Sequence, residues 1–178
     1  MSGKMNPWAR RRARRALVQA VYGWQVTGAA VASVEDQFLG DESLAKADVA
    51  FFQELLRGVL QQHEALDTAY APFLDRSHDS LDQVERAILR LGCYELAHRI
   101  DVPYRVVIDE YVELSKTFGA EASHTYINGV LDRVAQDCRA LEKGERGTSS
   151  NSSTRAFKRW AMPPARPAGG WAPGTILP

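Results

Sequence analysis

The sequence predicts an all-α protein: two small helical bundles packed side by side, about seven helices in total, followed by a disordered tail. Three observations carry this expectation. Between Ala9 and Leu141 apolar residues recur every three or four positions. β-Branched alternation bounded by tight-turn pairs is missing from the same stretch. After Lys143 the composition turns abruptly to Gly, Ser, Thr, Asn and Pro, with five of the eight prolines from Pro163 onward.

The first helix is expected over about Ala9–Val26, with Ala13, Leu17, Ala20, Val21 and Trp24 on one stripe and Gly28 as the stop. Ser33 with Asp36 is expected to open a short helix carrying Val34 and Phe38. After Asp48 a longer helix should face Phe52, Leu55, Leu56, Val59, Leu66 and Tyr70 inward, disturbed at its end by Pro72. A linker falls near Arg76–Asp79. Ser80 and Gln83 then have capping-box spacing ahead of Leu81, Val84, Ile88 and Leu91. Pro103 suits the first turn of the next helix, whose stripe is Val107, Tyr111, Leu114 and Phe118, with Gly119 ending it. A final helix carries Ile127, Val130, Leu131, Val134, Cys138 and Leu141. The expected division is therefore 1–78, an arginine-rich N-terminal bundle; 79–141, a C-terminal bundle; and 142–178, the tail. Each half has few core residues, so the two should share an interface.

With 45% apolar and 25% charged content, the chain is not disordered throughout. No run approaches the roughly 18 uninterrupted apolar residues of a membrane span, and the basic start lacks a signal-peptide core. A cytoplasmic protein is expected. Cys93 and Cys138 each lie inside an apolar helical pattern, so both read as buried thiols rather than a disulfide or zinc site.

The net charge of zero hides a segregation. Residues 1–15 hold Lys4 and five arginines with no acid; 16–141 carry 10 basic and 20 acidic side chains; 142–178 carry 6 basic and 2 acidic. An acidic body with a basic arm implies one surface for a polyanion and another for a cationic partner. The arm is Arg10-Arg11-Arg12-Ala13-Arg14-Arg15, whose guanidinium forks match phosphate geometry. Such a cluster is unfavourable at a helix N-terminus, where the dipole prefers acids. A nucleic acid offsets that cost; a merely solvated arm or a localisation signal are the alternatives. A membrane-surface helix is disfavoured because Ala9, Ala13 and Ala16 are small. Trp24 belongs with the core stripe, whereas Tyr22 points away from it and suits a surface.

Chemistry finds little support. Glu95-Leu96-Ala97-His98 and Glu121-Ala122-Ser123-His124 share the E-x-x-H spacing of di-iron bundles, with Glu54, Glu64, Glu110 and Glu113 as the further carboxylates such a site needs. Glu121 is explained as well by its place in a first helical turn. Glu95 falls on an apolar arc and should find a buried arginine or hydroxyl. His63 reads as a satisfied core histidine. Asp109, Glu110 and Glu113 form a solvated face or an acidic docking surface. No phosphate-binding glycine loop, H-E-x-x-H or nucleophile elbow is present. No catalytic residue, cofactor or metal is expected; the sequence favours a binding protein. In the tail, Phe157, Lys158, Arg159 and Trp160 make a basic-aromatic patch that is more simply a non-functional extension.

Taken together the motifs resemble the NusB family of bacterial transcription antitermination factors. The resemblance rests on Arg10–Arg14; Tyr22-Gly23-Trp24-Gln25; Gln83 to Arg90; Tyr94-Glu95-Leu96; Asp101-Val102-Pro103-Tyr104; Phe118-Gly119-Ala120-Glu121; Ser123-His124; and Asn128 to Asp132, in order over about residues 9–139. It implies an all-helical protein that binds the boxA element of ribosomal RNA leader transcripts. In that family NusE, a small-subunit ribosomal protein, strengthens binding, and the pair supports an antiterminating RNA polymerase. It implies RNA contacts from Arg10, Arg11, Arg12, Arg14, His124 and Tyr126, and NusE contacts from Tyr22 and Glu85. Tyr126 stands where the family often has Phe, and Ala122 replaces a frequent acid. The free state, monomer or homodimer, is left open. A related domain also precedes a methyltransferase in some RNA cytosine methyltransferases, but no cofactor-binding α/β pattern follows residue 141. For single-stranded boxA the expected mode is phosphate clamping with stacking on unstacked bases.

Overall fold

The computed structural model describes residues 6–119 and 122–140, and all regular structure among them is helical. The tail beyond Ala140, with Leu141 and the Phe157–Trp160 patch, lies outside the described residues, as do Lys4 and Glu121. The described residues form six α-helices: α1 (Pro7–Thr27), α2 (Val31–Leu39), α3 (Val49–Tyr70), α4 (Gln83–His98), α5 (Tyr104–Phe118) and α6 (Ser123–Cys138). Short 3₁₀ turns at Glu42–Leu44, Ala71–Phe73 and His78–Ser80 fill the connections. Among these residues no helix is long and apolar enough to cross a membrane.

Local chemistry sets most of the boundaries. Asn6 caps α1 by accepting from the Trp8 N–H, with Pro7 in the first turn, where its missing donor costs nothing. Gly28 takes the left-handed conformation at the other end (φ 66°) and donates to the Trp24 carbonyl. Asp48 caps α3 through the Phe51 N–H at 3.0 Å. The α2 expectation needs correction: the helix begins at Val31, and Ser33 lies inside it without capping anything. The capping box is also displaced by two residues. Ser80 is engaged by its own 3₁₀ turn, donating to the Ser77 carbonyl, and Asp82 with Glu85 forms the box instead. Pro103 caps α5 from just outside its first turn.

α4 is the central helix. It packs on α1 and α3 on one side and on α5 and α6 on the other, so residues 87–96 are buried without a break. The apolar stripes meet there: Leu17 and Val21 from α1, Phe52, Leu55, Leu56 and Val59 from α3, Tyr111 from α5, Ile127 and Leu131 from α6. α3 approaches α4 closely at Gly58, where a Cβ would run into the Tyr94 ring. Cys93 is buried and Cys138 half-buried, and neither forms a disulfide; burial pushes the Cys93 thiol well above its usual range. His63 is half-buried against the Trp24 ring, with Nδ1 3.0 Å from the Leu60 carbonyl.

Two polar clusters lock the helices. Arg90, on α4, makes a forked contact to Asp67 of α3 at 2.6 and 2.8 Å and reaches Gln25 of α1 at 3.1 Å. Arg139, buried just past α6, donates to the carbonyls of Leu96, Arg99 and Val102 and so ties the end of α6 to the last turn of α4 and the chain that follows it.

Candidate nucleic-acid interface

The α1 arginines do not form one cluster in space, and helical phase explains why. At 3.6 residues per turn, positions 10, 14, 17 and 21 share one face with the core, while 8, 11, 12, 15 and 19 share the opposite one. Arg14 is therefore buried beside Leu17. Its guanidinium makes a forked pair with the fully buried Glu95 of α4, at 3.0 and 2.5 Å, and lies over the Phe51 ring. Burial works against the Arg14 charge, but the Glu95 hydrogen bond and charge outweigh it and hold the guanidinium above its ordinary pKa. Arg10 is largely covered as well, 3.5 Å from both Asp48 and Asp101 and above Phe51. Of the arginines expected at the RNA, Arg10 and Arg14 thus hold α1 to the body.

Arg11, Arg12 and Arg15 face outward and line a groove of about 730 Å³ with Trp8, Gln19, Glu42, Ser43, Glu110 and Thr117. They differ in availability. Arg11 is exposed but engaged by Glu110 of α5, at 3.1 Å from Nε and 2.7 Å from Nη2, which raises its pKa. Arg12 makes a long 3.5 Å contact to the Ala45 carbonyl, and Arg15 lies over the Phe118 ring. Neither has a carboxylate within ion-pair distance among the described residues. Glu113, also on the groove, is paired with Lys116 at 2.8 Å. Among the described residues the groove offers two guanidinium forks without a carboxylate partner, about one turn apart, between acidic α5 and the loop after α2, an arrangement that suits a phosphate backbone.

The second-half residues separate. His124 is half-buried and close enough to Glu113 to favour its ionised form, after the larger effects of Lys116 and Arg11. Tyr126 is two residues on, about 200° around α6, and turns instead to the chain before α4, where the Arg76 guanidinium covers its ring at 4.2 Å. Of the expected partner contacts, Tyr22 is 42% exposed and continues the outward face of α1 together with Val26. Glu85 is buried, accepting from the Asp82 N–H and from the Ser123 hydroxyl, so its carboxylate ties α4 to α6. Arg15 belongs to the expected phosphate-matching arm and Trp8 does not, yet the spacing of both from Arg11 and Arg12 puts them on the same helical face.

Glu95 is consumed by Arg14, and the described residues hold no group of three or more potential metal-ligating His, Cys, Asp or Glu side chains.

Comparison with known proteins agrees with this architecture. The family model described as "NusB family" matches residues 11–136. A transcription antitermination protein NusB of Alcanivorax borkumensis is 53% identical over 146 residues, covering 82% of this chain and 97% of its own length. The protein of the same name from Xanthomonas euvesicatoria pv. vesicatoria is 50% identical over 145 residues, covering 82% and 90%. Among solved structures, a T. maritima NusB superposes with a TM-score of 0.67 at 28% identity, over 80% of this chain and all of that one. A chain from a complex of the antitermination factors NusB and NusE with double-stranded RNA shares the fold at a TM-score of 0.62 and 23% identity, over 74% and 98%.

Proposed function

The chain belongs to the NusB family, and from that premise we propose that it is a cytoplasmic transcription antitermination factor without catalytic chemistry. It binds the boxA element of ribosomal RNA leader transcripts together with the ribosomal protein NusE, and so promotes processive transcription by RNA polymerase. The observation that carries the RNA reading is the pair Arg12 and Arg15: two outward guanidinium groups with no carboxylate partner among the described residues, set about one turn apart on a groove wall. Arg11 stands beside them, paired with Glu110, and His124, near Glu113, is the second half's contact with the strand.

NusE docks further along the same face of α1, on the exposed Tyr22 and Val26, close to the half-buried Gln25–Arg90–Asp67 network. Glu85 supports that surface by fixing the start of α4. The functional division of the chain remains 1–78 and 79–141, with α4 as the shared wall. The test is an anisotropy titration of the full chain with boxA RNA and a scrambled RNA, with and without NusE. Preference for boxA that tightens with NusE is the expected result; equal binding of both RNAs, unmoved by NusE, overturns the assignment.

A further inference from the structure

Trp8 is the part of the groove that phosphate recognition leaves unexplained. Its side chain is 70% exposed although it stands on the first turn of α1, where the backbone is fixed by the Asn6 cap and by Pro7. The guanidinium of Arg11 lies over the indole, 5.2 Å from the ring centroid, and is itself anchored to Glu110 on α5. The ring is therefore braced by a cation–π contact while most of its surface remains open to the groove. Arg12 stands about one turn beyond Trp8, a rise of about 6 Å, and Arg15 nearly one turn after that.

We propose that Trp8 is a base-stacking platform: it takes an unpaired nucleobase of single-stranded RNA while Arg12 and Arg15 hold phosphates of adjoining nucleotides. This rests on the RNA reading of the groove and adds what kind of strand it accepts. A base can lie on the indole only when it has left a helical stack, so the site selects single-stranded over double-stranded RNA. Every base has a π-face, so the platform adds affinity without choosing the base. Arg11 contributes twice, steadying the ring and adding positive charge beside it.

The experiment compares the full wild-type chain with Trp8→Ala, Trp8→Phe and the double variant Arg12→Ala/Arg15→Ala. Anisotropy titrations use boxA RNA and a series of the same RNA with one abasic ribose at each position in turn, over several salt concentrations. Because Trp8 is exposed, Trp8→Ala should keep the wild-type melting temperature. It is expected to lose about ten-fold in affinity, with the salt dependence unchanged, and Trp8→Phe to regain most of it. At one abasic position the wild type should lose a similar factor while Trp8→Ala loses nothing more. The inference is overturned if Trp8→Ala binds within about two-fold of wild type, or if its abasic profile matches the wild type at every position. It is also overturned if the loss appears only with NusE present, which assigns Trp8 to a protein contact. Weakened binding by the arginine double variant beside an unaffected Trp8→Ala removes the platform and leaves the RNA reading standing. Wild-type affinity and slope in the arginine double variant remove the RNA reading itself.

Discussion

Replacing Arg14 with alanine separates a structural arginine from an RNA-binding one. The guanidinium is 3% exposed and its partner Glu95 is fully buried, so truncation leaves a carboxylate in the core with its two guanidinium hydrogen bonds gone. The neighbouring Tyr111 hydroxyl, kept protonated by burial and by the Glu95 charge, does not replace a cation. Breaking one side of such a pair costs about 3–5 kcal/mol. With an unfolding entropy of roughly 2.1 cal/mol/K per residue over about 130 folded residues, that lowers Tm by about 10–18 °C. The double replacement Arg14→Met/Glu95→Met removes both charges and should recover most of the loss, because an apolar pair of similar volume is often neutral. The assay is thermal unfolding by circular dichroism, paired with RNA titration well below the melting point. There Arg14→Ala should keep the salt slope of the wild type. A variant that melts within about 3 °C of wild type but has lost slope refutes the buried-pair assignment and returns Arg14 to the phosphate site.

Three further outcomes follow from the same geometry. Glu110→Gln frees Arg11 from its ion pair and removes a negative charge from the groove, so RNA affinity should rise by a few-fold, in keeping with the ~0.2–1 kcal/mol of an exposed pair; unchanged or weaker binding in a titration contradicts this. Gly58→Ala presses a methyl group into the Tyr94 ring and should cost about 1–3 kcal/mol, read as an earlier urea midpoint; an unshifted midpoint means the α3–α4 contact is looser than described. Asp101, held down to about 2 chiefly by the Arg99 hydrogen bond, has a folded pKa below its unfolded value of roughly 3.9. Its contribution is complete above that unfolded value and is lost as pH falls through 2. The Tm advantage of wild type over Asp101→Asn should therefore be constant near neutrality and shrink toward pH 2; an advantage independent of pH contradicts the assignment.

Much of this was legible in the residues. The 3.6-residue stripes of α1 and α3 identify core positions that are buried, and the apolar arc around Glu95 calls for a buried cation or hydroxyl. The arginines could have been sorted as well: Arg10 and Arg14 fall in phase with Leu17 and Val21, while Arg15 falls with Arg11 and Arg12. Reading the run as a single basic cluster, without its phase, hid both the buried pair and Trp8. The same reasoning separates His124 from Tyr126. Other features depend on long-range packing. That Glu95 meets Arg14 across 81 positions is fixed only by how α1 lies on α4. That Glu42 and Ser43 wall the groove is fixed only by the path of the chain after α2. Glu85 looks like a surface acid until Ser123 closes over it.

In the proposed RNA complex Arg12 and Arg15, not the whole arginine run, carry the phosphates. The most direct measurement is the slope of log affinity against log salt for boxA RNA with Arg12→Ala, Arg15→Ala and Arg10→Ala. Each of the first two should lower the slope by about 0.7, one single-strand phosphate contact, while Arg10→Ala leaves it unchanged. Equal losses for all three, or a slope that moves only with Arg10, would contradict it.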